Sequence, residues 1–175
     1  IISNLYGGLL ENCYCDVVME ISLTGDATCG GLVGRSGIAS SLRNCVFAGK
    51  LVGKAAQRCG GLIGWVEGST SISNCLQLGE MDIDVNADSY ALGRNSQKEG
   101  KINNSYVLKG FRGTVDAGVT EVTSEQVESG EVAFRAGMGQ KLDTDKVPSP
   151  LNQNRVYATA TSCSGEGATG FTNNK

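Results

Sequence analysis

The chain writes nearly the same hexapeptide twice, CGGLVG at residues 29–34 and CGGLIG at residues 59–64. A second column accompanies it: LENC at 10–13, LRNC at 42–45, ISNC at 72–75 and INNS at 102–105, separated by steps of 32, 30 and 30 residues. Leu32, Leu62 and Leu92 keep the thirty-residue step, and Gly49 and Gly79 repeat it once more. Several columns sharing one period of this size imply an array of supersecondary units, each burying its apolar face only against its neighbours. This constrains the fold more than any other feature of the sequence.

The unit is built of strands. LRNCVFAGKLV, ISNCLQLGEMDIDV and INNSYVLKGFRGTV are short alternating or apolar runs punctuated by Gly and Asn, the pattern of strands between tight corners. Nothing before residue 123 sustains the helical period over ten or more positions. An antiparallel sandwich would also use short strands but has no reason to repeat columns every thirty residues. The prediction is an all-β chain: a right-handed parallel β-solenoid of about four coils over residues 1–122, each coil pairing with the one below. Residues 123–175 form a C-terminal cap. There TSEQVESGEVAFRAGMGQ predicts one helix of about a dozen residues, N-capped by Thr123 or Ser124 and stopped by Gly137 and Gly139. It is expected to lie as a lid over the last coil, with NRVYATATS as an edge strand and the Gly-rich CSGEGATGFTNNK as an exit toward a following module.

The columns then acquire roles. Asn12, Asn44, Asn74 and Asn104 are predicted to occupy sharp corners as a stacked ladder, because Asn tolerates the left-handed conformation and stacked amides can bond rung to rung. Gly30, Gly31, Gly60 and Gly61 supply positive φ or close backbone approach at another corner. Five of the seven cysteines fall in the same columns, Cys13, Cys45 and Cys75 in one and Cys29 and Cys59 in the other. Small thiols suit a narrow interior, and the odd count favours reduced side chains, although adjacent rungs also lie within bridging distance.

Composition removes several functions. The chain has no histidine, the commonest general base and metal ligand. Its 15 basic and 18 acidic residues form no basic run, leaving little footing for nucleic acid or an anionic membrane. No apolar run is long enough to insert in a bilayer. The beginning at Ile1, without an initiator Met or signal sequence, suggests an excerpt from a larger protein. No phosphate loop follows either Gly cluster, and the one close Cys pair, Cys13 and Cys15, lacks a partner pair for zinc. No cofactor is therefore expected.

Two weaker candidates remain. Asp82, Asp84, Asn86 and Asp88 alternate along one strand face and resemble the first oxygen ligands of a calcium loop, but Ala87 and Gly93 stand where its turn Gly and closing Glu belong. A solvated strand face is the simpler reading. Trp65, Tyr90 and Tyr106 are the candidate stacking face for a sugar; their alternative is packing at corners.

GGLVGRSGIASSLRNCVFAGKLVG and GGLIGWVEGSTSISNCLQLGEM resemble the GLUG motif, a Gly-Leu-any-Gly repeat of large bacterial surface and secreted proteins, including non-catalytic parts of immunoglobulin A peptidases of the zinc metalloprotease type. SYALGRN lacks the double Gly and YGGLLEN is shortened, so the outer coils depart from the pattern. The resemblance implies a β-helix-like fold, an extracellular bacterial setting and a role in adhesion or spacing, and it carries no catalytic residues. The resulting expectation is a non-enzymatic structural or adhesive module. Its expected partners are host glycans or proteins and adjoining domains. A carbohydrate-binding or carbohydrate-active β-helix and an inert spacer are the alternatives.

Overall fold

A computed structural model of the chain describes residues 2–84, 88–94, 100–159 and 170–173. Among these residues five parallel sheets run along one coil. Ile2–Leu5, Val33–Ser36 and Ile63–Val66 form the first. Leu9–Glu11, Ser41–Arg43, Thr70–Ser73 and Gly100–Asn103 form the second. Tyr14–Cys15, Val46–Phe47, Leu76–Gln77, Ser105–Leu108 and Val119–Val122 form the third. Val18–Glu20, Lys50–Gly53 and Glu80–Ile83 make the fourth, and Gly25–Asp26 pairs with Ala56–Gln57 in the fifth. The result is an all-β solenoid of three complete windings and a partial fourth.

Register follows the columns of the sequence. Leu42 lies between Leu10 and Ile72, and Ile72 pairs in turn with Ile102. Ile2 faces Val33 while Leu10 faces Leu42, so the corner before Ser41 absorbs one extra residue without shifting either sheet's inward set. Leu32, Leu42, Leu62, Ile63, Ile72 and Leu92 are fully buried, each removal from water contributing roughly 1.5–3 kcal/mol.

The corners explain the polar columns. Asn12, Asn44, Asn74 and Asn104 have φ of 54°, 52°, 51° and 42°, a conformation costing most residues about 1–2 kcal/mol. The Asn44 amide donates to Asn12 Oδ1 at 3.1 Å and the Asn104 amide to Asn74 Oδ1 at 2.6 Å. The next residue has its own task at the corner. The thiols of Cys13, Cys45 and Cys75 donate to the carbonyls of Glu11, Arg43 and Ser73, and the Ser105 hydroxyl repeats the bond to Asn103. A small donor is what this column requires, which is why Ser can stand for Cys in INNS.

Gly30, Gly31, Gly60 and Gly61 work by close approach, not positive φ. A Cβ on Gly60 would lie 1.9 Å from the Ile63 carbonyl oxygen, and one on Gly31 2.5 Å from the Phe47 ring. Left-handed residues at this side of the coil are instead Thr28 (φ 44°) and Arg58 (φ 57°). Each immediately precedes a cysteine of the Cys29–Cys59 disulfide, whose α-carbons are 4.9 Å apart. The expectation of reduced thiols is thus corrected at this pair: in-register stacking brings two α-carbons directly over one another. Cys13, Cys15, Cys45 and Cys75 are free, and Cys163 lies outside the described residues.

The last winding closes by a shortcut. Val119–Val122 pairs with Ser105–Leu108 at a step of only fourteen residues, and the intervening loop carries Asp116 beneath the Leu92 corner. Elsewhere one carbonyl takes two amides from the neighbouring rung: Leu32 and Val33 donate to Leu62, and Leu62 and Ile63 to Leu92. At the end, Leu92 and Gly93 donate to the two oxygens of Asp116, at 2.9 and 3.2 Å. The carboxylate replaces the missing rung's carbonyl.

The cap differs from the expected single helix. α1 (Ser124–Glu128) begins with a Thr123–Gln126 capping box, and α2 (Glu131–Ala136) follows after Gly130. Gly130 has φ 90°, and a Cβ there would sit 2.5 Å from Leu142, so packing against the loop below breaks the helix. Nor are the helices only an end lid. Val127, Val132, Ala136 and Met138 pack with Val46, Leu76 and Tyr106, covering the outer face of the three central strands of the third sheet. The tail returns as well: Val156–Ala158 pairs antiparallel with Phe171–Asn173. Asn173 ties that strand to the Gln140 and Arg155 carbonyls, so residues 171–173 belong to the cap.

Candidate lateral binding cleft

On the outer face of the first sheet an open cleft lies beside Trp65. Asn4, Arg35 and Trp65 stand in one column across the three windings. Beside Trp65 opens a cleft of about 390 Å³ lined by Asp26, Thr28, Arg35, Trp65, Glu67, Gly68 and Arg94. Its far wall is the left-handed, disulfide-linked corner, which places Asp26, Thr28 and Arg58 next to the sheet.

Two ion pairs organise it. Arg94 chelates Asp26, Nη1 to Oδ1 at 2.6 Å and Nη2 to Oδ2 at 3.2 Å, and also donates to the Arg58 carbonyl. Its guanidinium carbon lies 4.6 Å from the Trp65 ring centroid, close enough for cation–π attraction that fixes the indole. Arg35 donates to Glu67 at 2.7 Å. The Thr28 hydroxyl adds a bond to Asp26 at 3.1 Å. The Arg94 guanidinium, seconded by Thr28 and Arg58, outweighs desolvation and holds the Asp26 carboxyl below its ordinary range. Two carboxylates balance two guanidiniums, so the lining is polar, aromatic and without net charge.

The other candidates separate. Tyr106 is 4 % exposed beneath the cap and cannot share a face with Trp65; its hydroxyl bonds Asn104. Tyr90 is half-buried at the Gly corner, bridging Gly60 and Thr114, and does not line the cleft. The acidic row does not converge: Asp82 faces Lys50 at 3.7 Å, Asp84 accepts from Gln57, and Asp88 pairs with Arg58 at 3.2 Å. Asn86 lies outside the described residues. Among the described residues no group of three or more His, Cys, Asp or Glu could hold a metal ion.

Cys13, Cys45 and Cys75 occupy one column of the coil. The neighbouring Cys75 thiol favours charge on Cys45 and pulls it to about 7. Neighbouring Cys45 and burial push Cys75 well up, and burial lifts Cys13.

Sequence reasoning found Trp65 but missed Asp26, Arg35, Glu67 and Arg94. Arg35 was reachable, since it precedes Trp65 by one thirty-residue step. Asp26 and Arg94 are 68 positions apart and fall in no repeating column. A scan against protein-family models, a search of curated proteins and a search of solved structures each found no match.

Proposed function

We propose that the chain is a non-catalytic, structural and adhesive module of a bacterial surface or secreted protein, and that the Trp65 cleft binds a neutral glycan. The observation carrying this reading is an oriented indole set between two carboxylate–guanidinium pairs. A sugar offers an apolar CH face to the indole and vicinal hydroxyls to fixed acceptors and donors, and the balanced lining favours no net ligand charge. Asp26 is held low, the opposite of what a general acid for glycoside cleavage requires. The Cys29–Cys59 bridge supports an oxidising, extracellular setting. The test is an array of neutral and anionic glycans probed with the wild-type module and with Trp65→Ala. Retention on neutral glycans, lost in the variant, is expected. Retention unaffected by the substitution, or confined to anionic glycans, or none at all, overturns the reading.

A further inference from the structure

The cleft does not end at its own rim. Two residues along the strand direction from the Asn4–Arg35–Trp65 column, the first winding presents Tyr6, 58 % exposed. Its ring is not adrift on the surface. Gly37 is buried directly beneath it, and a Cβ there would fall 2.1 Å from Tyr6 Cδ1, so the ring lies against bare backbone that only glycine leaves open. Its hydroxyl is 3.4 Å from Glu67 Oε2, the same oxygen that accepts from Arg35 Nε at 2.9 Å. Tyr6, Glu67, Arg35 and Trp65 therefore form one connected strip crossing the windings: an aromatic ring, an ion pair, then a second aromatic ring.

The separation of the rings is set by the fold. Tyr6 belongs to the first winding and Trp65 to the third, so their backbone positions lie two rungs apart along the coil axis and two residues apart along the strand, roughly 12 Å in all. A single sugar ring does not reach both. A chain of sugars laid obliquely across the windings does, with its end rings on the two aromatics and the hydroxyls between them over Arg35 and Glu67.

We propose that the binding site is this elongated strip, and that its ligand class is a linear neutral oligosaccharide of at least three sugars running obliquely across the windings. The inference rests on the glycan reading of the cleft and adds Tyr6 as a second platform that determines length specificity. Rigid placement is part of it: Gly37 and Glu67 hold Tyr6 in position before the ligand arrives, which limits the ordering cost of binding.

The test measures affinity for β-1,4-linked gluco- and manno-oligosaccharides of one to six units, and for the longest neutral glycan retained on the array. The proteins are wild type, Tyr6→Ala, Gly37→Ala and Trp65→Ala, each checked for unchanged circular dichroism. Affinity is expected to rise to a plateau at three or more units. Tyr6→Ala is expected to weaken the longer ligands by roughly tenfold, the loss of one stacking platform, while leaving mono- and disaccharides unchanged. Gly37→Ala, which displaces the ring without removing it, is expected to act in the same direction. If Trp65→Ala abolishes binding while Tyr6→Ala and Gly37→Ala have no effect at any length, the strip is refuted and the cleft reading stands. If none of the three substitutions changes binding, or no neutral glycan binds, both fail.

Discussion

Replacing Asp116 tests how the coil ends. The side chain is 2 % exposed and receives the amides of Leu92 and Gly93, which in an interior rung would go to a carbonyl of the next winding. Asp116→Ala leaves both amides buried without these acceptors, at about 1–3 kcal/mol each, so the expected loss is roughly 2–6 kcal/mol. Against a total stability of about 5–15 kcal/mol this is a large fraction. Asp116→Asn keeps one carbonyl oxygen, and the interior rungs show that one carbonyl suffices for two amides. Its loss should be smaller, roughly 1–2 kcal/mol for exchanging charge-assisted bonds for neutral ones. Urea titration of the three proteins supplies the values, and hydrogen exchange at Leu92 and Gly93 supplies the location. A cost below about 0.5 kcal/mol for the Ala variant, the level of an ordinary surface substitution, would refute the carboxylate's role as a surrogate rung.

Non-reducing peptide mapping should recover Cys29 joined to Cys59, and opening that link should cost about 3.6 kcal/mol from the loop entropy of its thirty-residue separation. Free peptides on both sides in the oxidised protein would contradict the register at that corner. Asn74→Ala should destabilise by about 1–2 kcal/mol and Asn74→Gly by less, because only the former resists a φ of 51°; equal losses in thermal unfolding would place the effect in the amide ladder alone. Asp26 has a depressed folded-state pKa, so its stabilising contribution is complete above its unfolded value of about 3.9 and disappears as pH falls through the lower folded value. Cleft binding should accordingly be level across neutral pH and collapse only below about pH 4; a transition near pH 6 would show that another group controls the cleft.

The solenoid was legible because its physics is periodic. A column that repeats at a fixed step must do the same job in every winding, and Asn44 and Cys45 announce a left-handed corner and a small donor as clearly as Asn74 and Cys75 do. What does not repeat was not legible. Asp116 acts once, at the end of the coil, and Gly130 interrupts a capped helical pattern because Leu142 fills the space beside it. Tyr106 looks like Trp65 in sequence, both being aromatic residues on short strands, but the cap buries one outer face and leaves the other open. The odd cysteine count argued for free thiols, and register alone does not decide pairing, since Cys29 and Cys59 are bridged while Cys45 and Cys75, stacked at the same thirty-residue step, are free. The cleft suffered most, since Asp26 and Arg94 meet only after the chain has wound twice around the core.

Trp65 is the only tryptophan in the chain, so its fluorescence reports the cleft without interference from another indole. Titrating the wild-type module with a neutral oligosaccharide of three or more units should produce a saturable change in emission, with a midpoint equal to the dissociation constant obtained calorimetrically. Calorimetric binding that leaves the emission untouched would place the ligand elsewhere, and a flat response by both methods across neutral glycans would remove the binding function altogether.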